Sequence, residues 1–336
     1  MSTTRAVVVG PVFIVVFDEK NHAVANDHGF AANPNAVLSR LARLVRIGHI
    51  AIRLPVTIIS FRNATPLNQL GSTSSDTSIA WSGTKMNTNS PSNIQAIFLD
   101  DGGVMNDNER RGSQWLLHLV DYLLPRFGGT RAAWEAANTE VITNQMKMFI
   151  DGIGFPERGG YRAARRTMGI TWVRDMFRIV GVPAPADDEE CYRLFRAATD
   201  YVTPRLRSAF AGAVEAIRAL HGLGFKLFTA SGTDSFDLEV HLEIMGVRDL
   251  FTGIGGPDLI DTHKGSRHFY EGILKLAGVA PENALFVDDS AKCAGWATET
   301  GASAVLISQD RTKSDSAIAV LGSLAELPEF LKSSRA

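Results

Sequence analysis

The chain has 336 residues, 45% of them apolar, and its 34 basic and 36 acidic side chains give a formal net charge of −2 at pH 7. That length and apolar content fill one large domain or two, while the near-neutral balance offers no global attraction for nucleic acid or a membrane surface. The only cysteines, Cys191 and Cys293, lie outside any CxxC or Cys/His spacing, so a disulfide framework is excluded and a reducing, cytoplasmic setting is expected.

Residues 1–93 read as an N-terminal extension ending in a polar linker, poorly ordered or peripheral. Ala6 to Phe17 is an apolar stretch broken by Gly10 and Pro11, compatible with a strand. Pro11 and the charged Asp18, Glu19 and Lys20 argue against a secretory signal. Asn33-Pro34 resembles a helix cap and first turn; Val37, Leu38, Leu41, Leu44 and Val45 then share one face, and Gly48 is a stop. Five arginines and no acidic residue lie between His28 and Ser75. Organelle-targeting segments share that composition, but a basic amphipathic helix within a chain more commonly packs on a core. The Ser, Thr and Asn of residues 63–93 have little to bury. No apolar run reaches the roughly 18 to 20 residues that span a bilayer, so integral membrane association is not expected.

From Gln95 onward apolar strands alternate with amphipathic helices, the pattern of βαβ units. Strands are expected at Gln95 to Leu99, Phe225 to Ala230, Phe251 to Ile254, Ala284 to Val287 and Ala304 to Ile307. Between Asn108 and Arg207 the patterns are helical instead, at Gln114 to Leu124, Thr130 to Phe149, Thr171 to Val180 and Glu189 to Thr199. The fold class is therefore α/β: a Rossmann-like, mainly parallel sheet with helices on both faces, built from residues 94–107 and 208–336. Residues 108–207 form an inserted α-helical subdomain.

Four strand-end or loop segments carry reactive groups. Ile97 to Leu99 delivers Asp100 and Asp101 into the glycine turn Gly102-Gly103, and a carboxylate at a strand end can act as a covalent nucleophile. GFKLFTASGTDS places Ser231 and Gly232 beyond a second strand, with Thr229 as the fallback hydroxyl. Lys264 precedes a helix that Ser266 can cap, and LFVDDSAKCAGWA ends a buried strand at Asp288 and Asp289. Each alone is an ordinary turn, surface or cap residue; their order along the chain is the signal. Together they resemble the four motifs of the haloacid dehalogenase (HAD) superfamily.

The resemblance implies a hydrolase with Asp100 as nucleophile, Ser231, Gly232 and Lys264 around the negative oxygens of a small anionic substrate, and Mg2+ held by Asp100, Asp289 and the Gly102 carbonyl. Asp101 and Asp288 are accessory candidates. It also implies that the helical insertion is a cap over the site. Tyr161, Arg162, Arg165 and Arg166 form a basic group there, read either as a solvated helix face or as a contact for an anion.

Two positions depart from the family pattern. Phosphatase members carry a second Asp where this chain has Gly102; that Asp protonates the leaving oxygen and then activates water. Its loss typically forfeits about 10² to 10⁴ in rate, and restoring it by Gly102→Asp is expected to raise phosphatase activity. Cys293 stands where many relatives have another acid, beside Lys292. The leading expectation is magnesium-dependent phosphomonoester hydrolysis through an aspartyl intermediate. Carbon-halogen or carbon-phosphorus hydrolysis is the alternative, since halide leaves without a proton, and a catalytically weak binding protein is a third reading.

Overall fold

Short valine-rich segments near the start of the chain pair as strands: β1 (Arg5–Val8), β2 (Ile14–Phe17) and β3 (Ala23–Ala25) form an antiparallel sheet in that order. The apolar stretch from Ala6 thus holds two strands. The computed structural model describes residues 5–8, 14–17, 23–25, 93–150, 155–156, 159–310 and 318–333. The helix expected over residues 34–48, the arginine-rich segment and most of the polar linker lie outside the described residues.

Uninterrupted apolar runs, without the alternation of a half-exposed strand, favour a parallel sheet covered on both faces. Six strands, of which the first, fourth and fifth in the chain are buried throughout, form one: β4 (Ala96–Leu99), β5 (Lys226–Thr229), β6 (Phe251–Gly253), β7 (Ala284–Asp288), β8 (Ser303–Ile307) and β9 (Ala319–Leu321), in the order β6-β5-β4-β7-β8-β9 with every pairing parallel. β4 lies between β5 and β7, so Leu99 pairs with both Thr229 and Val287, and the polar residues that follow these three strands emerge at one edge.

Strand periodicity splits the core in two. On one face Ile97, Leu99, Leu285 and Val287 join Ile217 and Leu220 of α5 (Ala213–Gly222) and Leu327 and Leu331 of α10 (Leu327–Ser333). On the other, Phe98 stacks between Phe228 and Phe286 at centroid distances of 5.0 and 4.6 Å. Each such pair contributes about 0.5 to 1.5 kcal/mol beyond its burial. Phe269 and Ile273 of α8 (Arg267–Ala277) and Ala294 and Ala297 of α9 (Ala291–Thr298) cover that layer.

The stretch between β4 and β5 is helical, as expected: α1 (Asn108–Phe127), α2 (Arg131–Ile150), α3 (Tyr161–Val180) and α4 (Asp188–Val202). These four helices have their own core of Leu119, Leu123, Trp134, Trp172, Phe177 and Phe195. α1 and α3 start six and ten residues earlier than their periodicity suggests. Asp107 caps α1 by accepting the Glu109 and Arg110 N–H groups, at 2.9 and 3.1 Å. α3 runs straight through Gly169, where a β-carbon would stand 2.6 Å from the Phe195 ring. Close packing on α4 therefore outweighs the helix cost of glycine, about 1 kcal/mol.

Two further helices, α6 (Ser235–Ile244) and the single turn α7 (Pro257–Ile260), follow β5 and β6. Among the described residues no helix is long and apolar enough to cross a membrane.

Candidate active site

Asp100 is fixed at the tip of the central strand by backbone bonds on both flanks: its N–H donates to Val287 O at 2.9 Å, and Ala230 N–H donates to Leu99 O at 2.9 Å. One carboxylate oxygen, Oδ1, accepts the Asp101 N–H at 2.7 Å. The other, Oδ2, meets Lys264 Nζ at 3.0 Å, and the same ammonium reaches Asp288 Oδ2 at 2.8 Å. Lys264 arrives from the loop before α8, whose first turn Ser266 caps through the His268 N–H. Ser231 also hydrogen-bonds the Asp100 carboxylate. Gly232 lies on the half-buried turn between Ser231 and Thr233, whose N–H donates to Ser231 Oγ at 3.3 Å. The fallback hydroxyl is spent elsewhere: Thr229 Oγ1 accepts from Gly255 N and donates to Gly255 O.

Carboxylate oxygens of Asp100, Asp288 and Asp289 all lie within 4.8 Å of one another. Burial pushes the Asp100 carboxyl up to about 6, with Lys264 opposing and Asp288 adding to the shift. Asp289 is held well above the usual carboxylate range by burial and by its two acidic neighbours. The ammonium itself is raised far above an ordinary lysine by the two carboxylates, against the cost of its burial. Three carboxylates with one ammonium leave excess negative charge, which a divalent cation would neutralise.

The donors suit magnesium, a hard ion that takes carboxylate and carbonyl oxygens. The turn is shaped to match: Gly103 has φ +80°, and a β-carbon there would stand 2.0 Å from Asp289 Oδ2. Only glycine lets the Gly102-Gly103 backbone approach Asp289 so closely.

Asp101 does not join this cluster. Its Oδ2 accepts from Arg111 Nη1 at 2.7 Å and faces His241 Nδ1 at 3.2 Å, while Oδ1 accepts from Asn106 Nδ2 at 2.7 Å. Arg111 and His241 hold its buried carboxyl well below the usual range despite the opposing effect of burial. As an accessory acid it is therefore corrected to a structural anchor, because adjacent positions at a strand end point to opposite faces. Sequence reading missed Arg111 and His241, which meet Asp101 from 10 and 140 residues away.

The basic group on α3 divides: Arg162 and Arg166 are exposed to solvent, while Tyr161 and Arg165 turn toward Asp234. Tyr161 OH donates to Asp234 Oδ1 at 2.9 Å and Arg165 Nε to Asp234 Oδ2 at 3.0 Å. Gly160 N–H and Arg162 N–H both donate to the Asp261 carboxylate, at 3.0 and 2.8 Å. Asp261 thus caps α3 from another part of the chain, where Gly160 has no side chain to do so. Arg166 pairs with Glu189 at 2.6 Å. Cys293 is partly buried, its thiol pushed up to about 11 by burial and Asp288.

A parallel α/β sheet that gathers a carboxylate, a hydroxyl, an ammonium and an acidic pair beyond three adjacent strands defines a class of hydrolytic site. The sequence pattern of haloacid dehalogenase-like hydrolases matches residues 94–292, and the chain belongs to that family. Among solved structures it is similar to YfnB from Bacillus subtilis bound to magnesium, at 14% identity over 71% of this chain and 98% of that one, TM-score 0.53. It is also similar to the defluorinating L-2-haloacid dehalogenase Rha0230, at 15% identity over 73% and 99%, TM-score 0.50. At such identities the likeness is one of fold. No curated protein matches the sequence.

Proposed function

We propose that this hydrolase is a cytoplasmic, magnesium-dependent enzyme that removes phosphate from a small anionic metabolite through a covalent intermediate on Asp100. The observation that carries this reading is Lys264, whose ammonium lies 3.0 Å from Asp100 and 2.8 Å from Asp288, with Asp289 beside them. With one Asp100 oxygen held by the Asp101 N–H and the other by Lys264, the carboxylate has a fixed aim.

In this reading an Asp100 oxygen attacks phosphorus while Ser231, Lys264 and the Gly232 backbone hold the equatorial oxygens, whose charge must be stabilised. Water then attacks the aspartyl phosphate and frees the carboxylate. Asp100, Asp289 and the Gly102 carbonyl would hold magnesium, which would supply positive charge to the negative oxygens of the substrate. Asp288, fixed by Lys264 and by the Ser290 N–H, orients the ammonium. The four helices of 108–207 act as a cap that limits water at the site, and residues 1–93 are peripheral to the chemistry.

Gly102 favours a second reading, hydrolysis of a carbon-halogen bond, because halide needs no proton to leave. Phosphate and halide release, each measured with and without magnesium, separates the two. Magnesium-dependent phosphate release supports the first, and metal-independent release of halide from a 2-haloacid replaces it with the second.

A further inference from the structure

Removing a phosphoryl group from an alcohol expels an alkoxide, which needs a proton as the bond breaks. Carboxylates and phenolates are stable anions and leave without one. Which of these a site can expel depends on whether an acidic side chain reaches the leaving oxygen.

Gly102 presents no side chain, and its space is already filled. A β-carbon at 102 would stand 2.4 Å from Asn108 Oδ1 and 2.9 Å from Asn108 Nδ2. Asn108 is 5% exposed, and its Oδ1 is buried with no hydrogen-bond partner. Asn108 opens α1 directly after the Asp107 cap, which holds its backbone, so a side chain at 102 would require the carboxamide itself to turn aside. A carboxamide that neither gains nor loses a proton near neutral pH therefore packs on the turn two residues past Asp100. The adjacent carboxylate, Asp101, is engaged by Arg111, His241 and Asn106.

Resting on the hydrolase reading above, we infer that Asn108 and Gly102 together determine specificity, restricting the enzyme to phosphate compounds with self-sufficient leaving groups, namely acyl and aryl phosphates. In the first step an Asp100 oxygen forms a bond to phosphorus, and the bond to the leaving oxygen breaks with its electron pair departing on a carboxylate or phenolate. In the second, water bonds to phosphorus, the Asp100 oxygen leaves with its electrons, and the proton from water passes to solvent. No acid is consumed in either step. The same packing means that in Gly102→Asp the new side chain must displace the Asn108 carboxamide before it can act as an acid.

The test is kcat/KM of the full chain with magnesium on acetyl phosphate, methyl phosphate and a series of substituted phenyl phosphates. The phenol pKa should span about 4 to 10. Acetyl phosphate is expected to exceed methyl phosphate by at least about 10³-fold, and the phenyl series to slow steeply as the phenol becomes less acidic. In Gly102→Asp/Asn108→Ala, checked for folding by circular dichroism, methyl phosphate hydrolysis is expected to rise about 10²-fold and the phenyl series to flatten. A flat series in the unaltered chain overturns the inference while leaving the phosphatase reading intact. A folded double variant with an unchanged slope overturns the role of Asn108. Failure to turn over any of these phosphates overturns the phosphatase reading and this inference with it.

Discussion

Arg111 Nη1 lies 2.7 Å from Asp101 Oδ2, with both side chains 1% exposed, which makes the pair an internal strut between the turn after β4 and α1. Removing one partner of such a pair strands a buried charge. Asp101→Asn is expected to cost about 3 to 5 kcal/mol in urea unfolding. The sign with pH follows from the depressed carboxyl: the pair's stabilisation is fully present above an ordinary aspartate value, about 3.9, and is lost as pH falls below it. Unfolding as stable as that of the unaltered chain would show that the strut carries no load.

Gly103 tests the fit of the acidic cluster to a metal. Gly103→Ala meets both the φ of +80° and the Asp289 carboxylate at 2.0 Å, so Asp289 must move. The strain is expected to cost about 1 to 3 kcal/mol. Magnesium should raise the melting temperature of the unaltered chain and leave that of the variant unchanged. Equal shifts in both would contradict the placement of Asp289 at the ion.

Asp237 of α6 should make stability pH-dependent. Burial raises its carboxyl to about 6, with Arg196 and His241 opposing and Asp234 adding. A carboxyl raised by folding costs stability once ionised, so the penalty is absent below the unfolded value of about 3.9, grows as pH rises toward about 6 and is complete above it. Asp237→Asn does not ionise and is expected to be about 1 to 3 kcal/mol more stable than the unaltered chain at pH 8. That gap should narrow toward pH 5. A gap that stays constant in urea titrations from pH 8 to 5 would contradict this account.

The sequence made the strands that carry the site readable, because Ile97 to Leu99 and Leu285 to Val287 are apolar without alternation and end in Asp residues. β9 was not foreseen: three residues offer too short a pattern, and its place is set by pairing with β8. Between the two hydroxyls the sequence offers, Ser231 and Thr229, local pattern does not show that Thr229 is bound to Gly255, 26 residues away. Arg165 and Tyr161 looked exposed on a polar helix; their partner Asp234 lies 69 and 73 residues away. Asn108 read as the start of the insertion, and its contact with Gly102 depends on a turn whose shape local sequence does not specify.

The central claim concerns the carboxylate of Asp100. Acid-quenching the enzyme during turnover of acetyl phosphate, reducing it with borohydride and mapping the peptides by mass spectrometry would reveal an acyl phosphate as homoserine. Homoserine at position 100, with turnover abolished in Asp100→Asn, is the expected result. An unmodified Asp100 peptide together with undiminished phosphate release by Asp100→Asn would contradict it.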